Sequence, residues 1–346
     1  MTYSGFFVRD QLGDTVSGLQ KRDGSSGSPD IILNGITPAP NPSVFTTTSG
    51  YHTDYGCDVT LEQANFVYLR ALNTTSEQAT GTAWFYYTPC NLLLWPSDWR
   101  SAAIQVDGME MNCQPIVATA GNQVCVTDSF VWTPPDLPLD ADHYCVVSWI
   151  DYPVHTDPGW TPLSELPRFN TLDDLLDFVV THPNMGWRNT FDVPRDGSGW
   201  SRTSAIAGPP KGGQFHVGIG WSGMPEDATV SYSIPGGANG DPKTINRTLS
   251  PLNDSDGEYL SQTTWKAGFA TSITINYTQG ETPPQPGASV TAEVILPVQS
   301  MRSSTLRLAR ELQPGGFRKI HVVDEDGRRV GGEEDAFCIG SVTYRF

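Results

Sequence analysis

The sequence predicts an all-β protein: two immunoglobulin-like β-sandwiches behind an extended amino-terminal arm, with one short helix. Three observations carry that reading. Glycine (34) and proline (27) are abundant among 346 residues while charged side chains make up only 17%, and both residues disfavour helix interiors. Hydrophobic residues reach 38% and aromatics 10%, enough to build buried cores and too apolar for a disordered chain. Short β-branched and aromatic runs bounded by turn formers recur along the chain, at the spacing of sandwich strands.

Residues 1–50 read as the arm. Phe6-Phe7-Val8 forms one short apolar strand, a Gly/Ser-rich stretch follows over 23–28, and Ser28 to Leu33 supplies a second strand. Pro38, Pro40 and Pro42 then hold the backbone extended. The first sandwich is expected over 51–193. Asn65 to Asn73 and Gly81 to Thr88 are its clearest strands, followed by Gln123 to Thr127, Phe130 to Thr133 and His143 to Ile150. One helix is expected near 171–181. Thr171 is a natural N-cap, Asp173 and Asp174 suit the positive helix start, and Leu172, Leu175, Leu176 and Val179 recur at helical spacing up to Pro183.

The Gly/Pro-rich stretch 194–213 reads as a linker, and 214–346 as the second sandwich with a carboxy-terminal hairpin. Phe215, Val217, Ile219 and Trp221 alternate with small or polar residues, which places one strand face on a core. The triplets Val230/Tyr232/Ile234 and Ile273/Ile275/Tyr277 repeat the period of two, as does Val290/Ala292/Val294/Leu296. The tail adds strand-sized pieces at Thr305 to Leu308, Ile320 to Val323 and Ser341 to Phe346.

A formal net charge of −17 repels phosphate backbones and anionic membrane surfaces, so nucleic acid is not an expected partner. No apolar run has the length of a membrane-spanning helix. Met1 to Asp10 shows neither a basic nor an apolar leader region. That leaves the destination open and fits a component made inside the cell and released as part of a particle. The six cysteines form no C-x-x-C pair and are expected to be reduced.

Few residues suggest chemistry. Asn253, Asp254, Asp256 and Glu258 around Gly257 offer alternate oxygen side chains of the kind that hold calcium, as do Asp324, Glu325 and Asp326. The EF-hand spacing is absent, and a solvated turn is the commoner reading of both stretches. Asp140, Asp142, His143, Asp151, His155 and Asp157 form a second loose cluster of metal-capable groups, read mainly as strand starts and turn ends. No nucleophile elbow, P-loop, dinucleotide fingerprint or H-E-x-x-H occurs, so no enzyme is expected. Two sets of binding residues stand out. Phe6, Phe7 and Val8 are candidates to add a strand to a neighbouring subunit. Trp95 and Trp99 are candidates to stack on a glycan, against the commoner use of tryptophan as core.

The first domain resembles a family of bacterial immunoglobulin-like domains of the cell-adhesion-related type. The resemblance rests on Ser28-Pro-Asp-Ile-Ile32, Asn65-Phe-Val-Tyr-Leu-Arg-Ala-Leu-Asn73, Leu94-Trp-Pro-Ser-Asp-Trp99 and Asp142-His-Tyr-Cys-Val-Val-Ser-Trp-Ile150, with Met185-Gly-Trp-Arg-Asn-Thr190 as a late strand. It covers about residues 28–193 and implies a sandwich without catalytic residues, used as an accessory, adhesive or assembly unit. The expected function is a non-catalytic structural or recognition protein, binding other proteins within a larger bacterial or phage-like extracellular assembly. The alternatives are a lectin-like carbohydrate binder and a component of a secreted toxin. No cofactor is expected beyond the calcium just considered.

Overall fold

The structure is a computed structural model that describes residues 3–15, 27–56, 59–89, 91–93, 95, 102–138, 141, 143–152, 169–190, 199–235, 245–249, 252, 257–260, 265–312, 317–324 and 326–346. Strands dominate, as the composition predicts. The first half contains β1 (Phe6–Phe7), β2 (Ile31–Leu33), α1 (Thr48–Tyr51), β3 (Asn65–Asn73), β4 (Ala79–Pro89), β5 (Ala102–Ala103), β6 (Gln105–Val106), β7 (Cys113–Ala118), β8 (Val124–Val126), β9 (Phe130–Trp132) and β10 (Tyr144–Asp151). After α2 (Leu172–Thr181) and β11 (Met185–Asn189) come β12 (Gly199–Ala207), β13 (His216–Ser222), β14 (Thr229–Ile234), β15 (Ile245–Leu249) and β16 (Gly257–Leu260). The chain ends with β17 (Ala270–Thr278), β18 (Ser289–Pro297), α3 (Ser303–Leu312), β19 (Arg318–Val323) and β20 (Arg329–Arg345).

Two sheets build the first half. In one, β3 is central, flanked by β1 and β2 on one edge and by β8 and β9 on the other, with β6 beyond β9. The other runs β11-β10-β4-β5, with β7 also paired to β4. The arm is therefore part of its own sheet. Phe6 and Phe7 pair with Asn73 and Leu72, and Phe6, Phe7 and Val8 are fully buried. This corrects the expectation that these three side chains reach a neighbouring subunit: the unpaired edge of β3 lies in the same chain, and the local apolar core takes them.

Strand β10 explains how the halves join. Tyr144, Val146 and Ile150 face the core between the two sheets, together with Ala83 and Phe85. Cys145, Val147 and Trp149 face the other way, into a second core that also contains Phe215, Val217, Ile219, Tyr232, Ile275 and Tyr344. A sheet covered on both faces reads as a near-continuous apolar run instead of an alternation, and Tyr144 to Ile150 is such a run, broken by Ser148 alone. The two halves thus share one core, where two separate sandwiches are the sequence expectation. Gly340 of β20 sits so close to the Leu92 carbonyl that a Cβ has no room there.

The second half also departs from a simple sandwich. An open sheet β12-β17-β14-β15 packs with a closed five-stranded barrel, β13-β16-β19-β20-β18. The barrel closes through a parallel pair, Tyr259 and Leu260 against Val322 and Val323, a long-range contact that local patterning does not encode. Strands β14 and β17 keep the predicted alternation. On β13, Val217 and Ile219 are buried as expected, while Trp221 near the strand end is only half-buried. The 194–213 linker reading fails over 199–207, because β12 pairs along its whole length with β17. Its Ser204 and Ile206 are buried beneath a Gly/Ser-rich sequence that looks loop-like.

Helix α2 lies where expected, closed by a capping box in which Thr171 and Asp174 bond reciprocally (3.2 and 3.0 Å). It is not the only sizeable helix. Thr305 to Leu308, read above as a strand piece, lies within the ten-residue α3, where Leu306, Ala309 and Leu312 have helical spacing. Arg302 docks this helix on α2, with its backbone N–H on Asp173 (2.8 Å) and its guanidinium on Asp174 (2.9 Å) and Asp177 (3.2 Å).

The residues that carry the family resemblance do structural work. Asp30 of the Ser28-Pro-Asp segment is fully buried between two guanidinium groups. It accepts from Arg9 Nη2 (2.6 Å), Nε (3.0 Å) and N (2.8 Å), and from Arg70 Nε (2.8 Å). Arg70 also donates to the carbonyls of Gly50 (2.6 Å) and Pro29 (2.7 Å), and the Arg9 guanidinium lies 3.5 Å from the Tyr51 ring centroid. Burial lowers the Arg9 pKa, but the hydrogen bond and charge of Asp30 outweigh it, so the net shift is upward.

A second network joins β11 to the carboxy terminus. Arg188 donates to Asp54 (2.7 Å) and to the Ser28 carbonyl (2.9 Å), and Arg345 lies 3.5 Å from Asp54. Burial alone would raise the Asp54 pKa. The charge and hydrogen bond of Arg188 outweigh burial, with help from the Gly56 N–H and Arg345, and hold it below the usual 3.8. A depressed folded-state pKa gives stability that is present above the unfolded value and lost as pH falls through the folded one. Stability should therefore fall more steeply below about pH 4 in the wild type than in Asp54→Asn, as read by urea denaturation from pH 5 to pH 2. Equal slopes would mean that Asp54 titrates alike in the folded and unfolded chains.

Candidate functional site

An open cleft of about 450 Å³ is lined by both sheets of the first half. Tyr87 of β4 and Ala103 of β5 come from one sheet, and β6 with Val131, Trp132 and Thr133 from the other. The turn 107–110 forms its lip. Met109 N–H donates to the Val106 carbonyl (2.9 Å), with Gly108 at φ +73°, a left-handed value that glycine adopts without strain. Asp107 N–H donates to the Ser129 carbonyl (3.2 Å) and Val106 N–H to the Met111 carbonyl (2.6 Å), so the lip is tied to the start of β9.

The wall is aromatic. Tyr87 and Trp132 have ring centroids 5.0 Å apart, and Tyr144 meets both edge-on at 5.3 and 5.6 Å. Trp132 is only 2% exposed, and its indole Nε1 has no hydrogen-bond partner among the described residues. Met109 and Met111 are 58% and 53% exposed, unusual for large apolar side chains. Asp107 and Glu110 of the lip are exposed beside them. The surface is therefore aromatic below, flexible and apolar at the lip, and negatively charged at the rim. Such a surface can bind.

The residues singled out in the sequence lie elsewhere. Trp95 is a core residue of the junction, where its Nε1 donates to the Ala207 carbonyl (2.7 Å); this corrects its reading as a sugar platform. Trp132, Trp149 and Trp187 are likewise buried. Trp99 lies outside the described residues. Glu258 accepts a bidentate pair from Arg247 (2.7 and 3.0 Å) and a bond from the Tyr232 hydroxyl (3.0 Å). Its oxygens are thus spent on tying the open sheet to the barrel, which corrects its reading as a calcium ligand. Asn253, Asp254 and Asp256 lie outside the described residues.

Asp324 uses its carboxylate within its own turn, accepting from the N–H groups of Asp326 (3.0 Å) and Arg328 (2.8 Å). Asp151 accepts from Trp84 Nε1 (3.0 Å), and His143 packs edge-on against Tyr344. Asp140, Asp142, His155, Asp157 and Glu325 lie outside the described residues. Among the described residues no group of three His, Cys, Asp or Glu side chains could hold a metal ion. Cys113, Cys125, Cys145 and Cys338 are free thiols, as expected; Cys57 and Cys90 lie outside the described residues. The cleft itself was not among the sequence expectations. Its one local signal is the Asp107-Gly108 turn pair, since Tyr87 and Trp132 meet only through the fold.

No helix of the described residues is long and apolar enough to cross a membrane. Neither a known protein family nor a curated protein matches the sequence. Among solved structures the chain is similar to the collagen adhesin of S. aureus, at 6% identity over 83% of this chain and 91% of that one, with a TM-score of 0.20. It is similar to the collagen-binding domain of the Erysipelothrix rhusiopathiae surface protein RspB, at 8% identity over the same shares, with a TM-score of 0.15. Red sea bream transglutaminase is similar at 9% identity over 67% of this chain, with a TM-score of 0.20, and the chain spans only 26% of its length. Likenesses this distant lend no weight to any of those proteins' activities.

Proposed function

We propose that the chain is a non-catalytic recognition protein that holds another macromolecule at the cleft between Tyr87, the 107–110 lip and Trp132. The observation that carries this is the pairing of an aromatic-walled cleft with a methionine, Met109, left exposed at its mouth. Methionine is adaptable in contact and recurs on binding surfaces, while exposed apolar side chains beside a concavity mark interaction sites. The buried ion networks and shared core supply a stiff frame, as a structural component requires. Membership of a larger bacterial or phage-like extracellular assembly extends this reading.

The test compares the wild-type chain with Ala103→Arg, which puts a bulky side chain into the cleft mouth. The chain purified from its source should run with a partner protein above its own 37.7 kDa, and the variant should run alone at that mass. If both run at 37.7 kDa and only the wild type binds on a glycan array, the ligand is a sugar and protein recognition fails. A variant that keeps its partner would remove the cleft from the function.

A further inference from the structure

The cleft lies in a segment without positive charge. Between Arg100 and Arg168 the sequence has no lysine or arginine, yet it carries nine acidic residues, from Asp107 to Glu165. No basic side chain lines the cleft, whereas Asp107 and Glu110 stand on its lip. Four buried or half-buried carboxylates elsewhere are faced by arginine: Asp30 by Arg9 and Arg70, Asp54 by Arg188, Glu258 by Arg247, and Glu293 by Arg318. The lip carboxylates thus set up a local negative field beside Tyr87, Met109 and Val131. A field of that sign attracts and orients a cation.

Resting on the reading of the cleft as the recognition site, we propose that its occupant is an extended segment of a partner protein presenting a lysine or arginine. Such a side chain has the two chemistries the cleft offers. Its aliphatic stem covers apolar surface, here Met109 and Val131, while its cationic head reaches for carboxylates, here Asp107 and Glu110. A cation also interacts favourably with an aromatic ring, which the half-buried Tyr87 supplies in the wall. A small free cation would leave the exposed Met109 and the half-buried Val131 without a role. A segment with apolar neighbours on either side of the basic residue uses them.

The probes are an acetylated Leu-Lys-Leu-Lys-Leu amide and its counterpart with glutamine at both lysine positions. Each is titrated calorimetrically into the full chain, into the Asp107→Asn/Glu110→Gln double variant and into Ala103→Arg. The lysine peptide should bind one to one, and the glutamine peptide roughly three- to tenfold more weakly. The double variant should bind the lysine peptide about as weakly as the wild type binds the glutamine one, and raised salt should erase the difference. Ala103→Arg should not bind.

If the two peptides bind equally and the double variant is unchanged, while Ala103→Arg still blocks binding, the cleft is a recognition site without cationic preference and this proposal falls alone. If Ala103→Arg leaves binding unchanged, the cleft reading falls with it. Absence of binding by either peptide overturns the proposal. Near-ultraviolet circular dichroism of each variant, matched to the wild type, shows that the fold is retained; all three substituted positions are exposed.

Discussion

Replacing Asp30 with alanine should cost about 3–5 kcal/mol of stability, the range for leaving a buried charge without its partner. Here two charges lose their partner at once. Arg9 and Arg70 are both fully buried, and among the described residues the carboxylate within ion-pair distance of both is Asp30. Arg70 would keep its backbone carbonyl partners at Gly50 and Pro29, which moderates the loss on its side. Arg9 keeps the Tyr51 ring and little else, so the amino-terminal strand should detach first. The check is the urea midpoint at unchanged slope. A loss below about 1 kcal/mol would mean that both guanidinium groups find water on losing Asp30 and that the arm is held by Phe6, Phe7 and Val8 alone.

Phe215→Ala should be nearly as damaging, at about 3–5 kcal/mol for a large aromatic removed from a packed core. Phe215 is fully buried, stacked on Trp265 at 4.8 Å and near-parallel (8°), with Phe269 at 5.7 Å. Its carbonyl accepts from Trp265 Nε1 (3.1 Å), so the cavity would open beside a group that needs that bond kept. Trp221→Ala, near the end of β13, should cost clearly less, because its ring is only half-buried. The opposite ranking, measured by the same denaturation, would mean that Trp221 and not Phe215 is the more deeply packed ring.

How much of this could be read in the sequence follows the range of the interactions. The Thr171/Asp174 cap and the alternation of Val230, Tyr232 and Ile234 are local and legible. The apolar run Tyr144 to Ile150 is also local, and it was the one signal that this strand is covered on both faces. Nothing local reveals what covers it. Phe215 and Tyr344 join Val147 and Trp149 in one core from distant parts of the sequence, through pairings such as the parallel β16–β19 contact. The same limit applies to the binding surface. Tyr87 and Trp132 are apart in sequence and opposed in space, whereas Trp95 and Glu258 looked functional because their partners, Ala207 and Arg247, were invisible. Asp30 was visible as part of a motif, but Arg9 and Arg70 became its partners only when the arm folded back.

The shared core is the claim on which the stiffness of the cleft depends, and the cooperativity of unfolding tests it most directly. Scanning calorimetry of the full chain should show a single transition whose calorimetric and van't Hoff enthalpies agree. Phe215→Ala should move that whole transition, and tyrosine and tryptophan signals from the first half should move with it. Two resolved transitions, with Phe215→Ala shifting only one of them, would show that the halves fold as independent domains and would contradict the shared core.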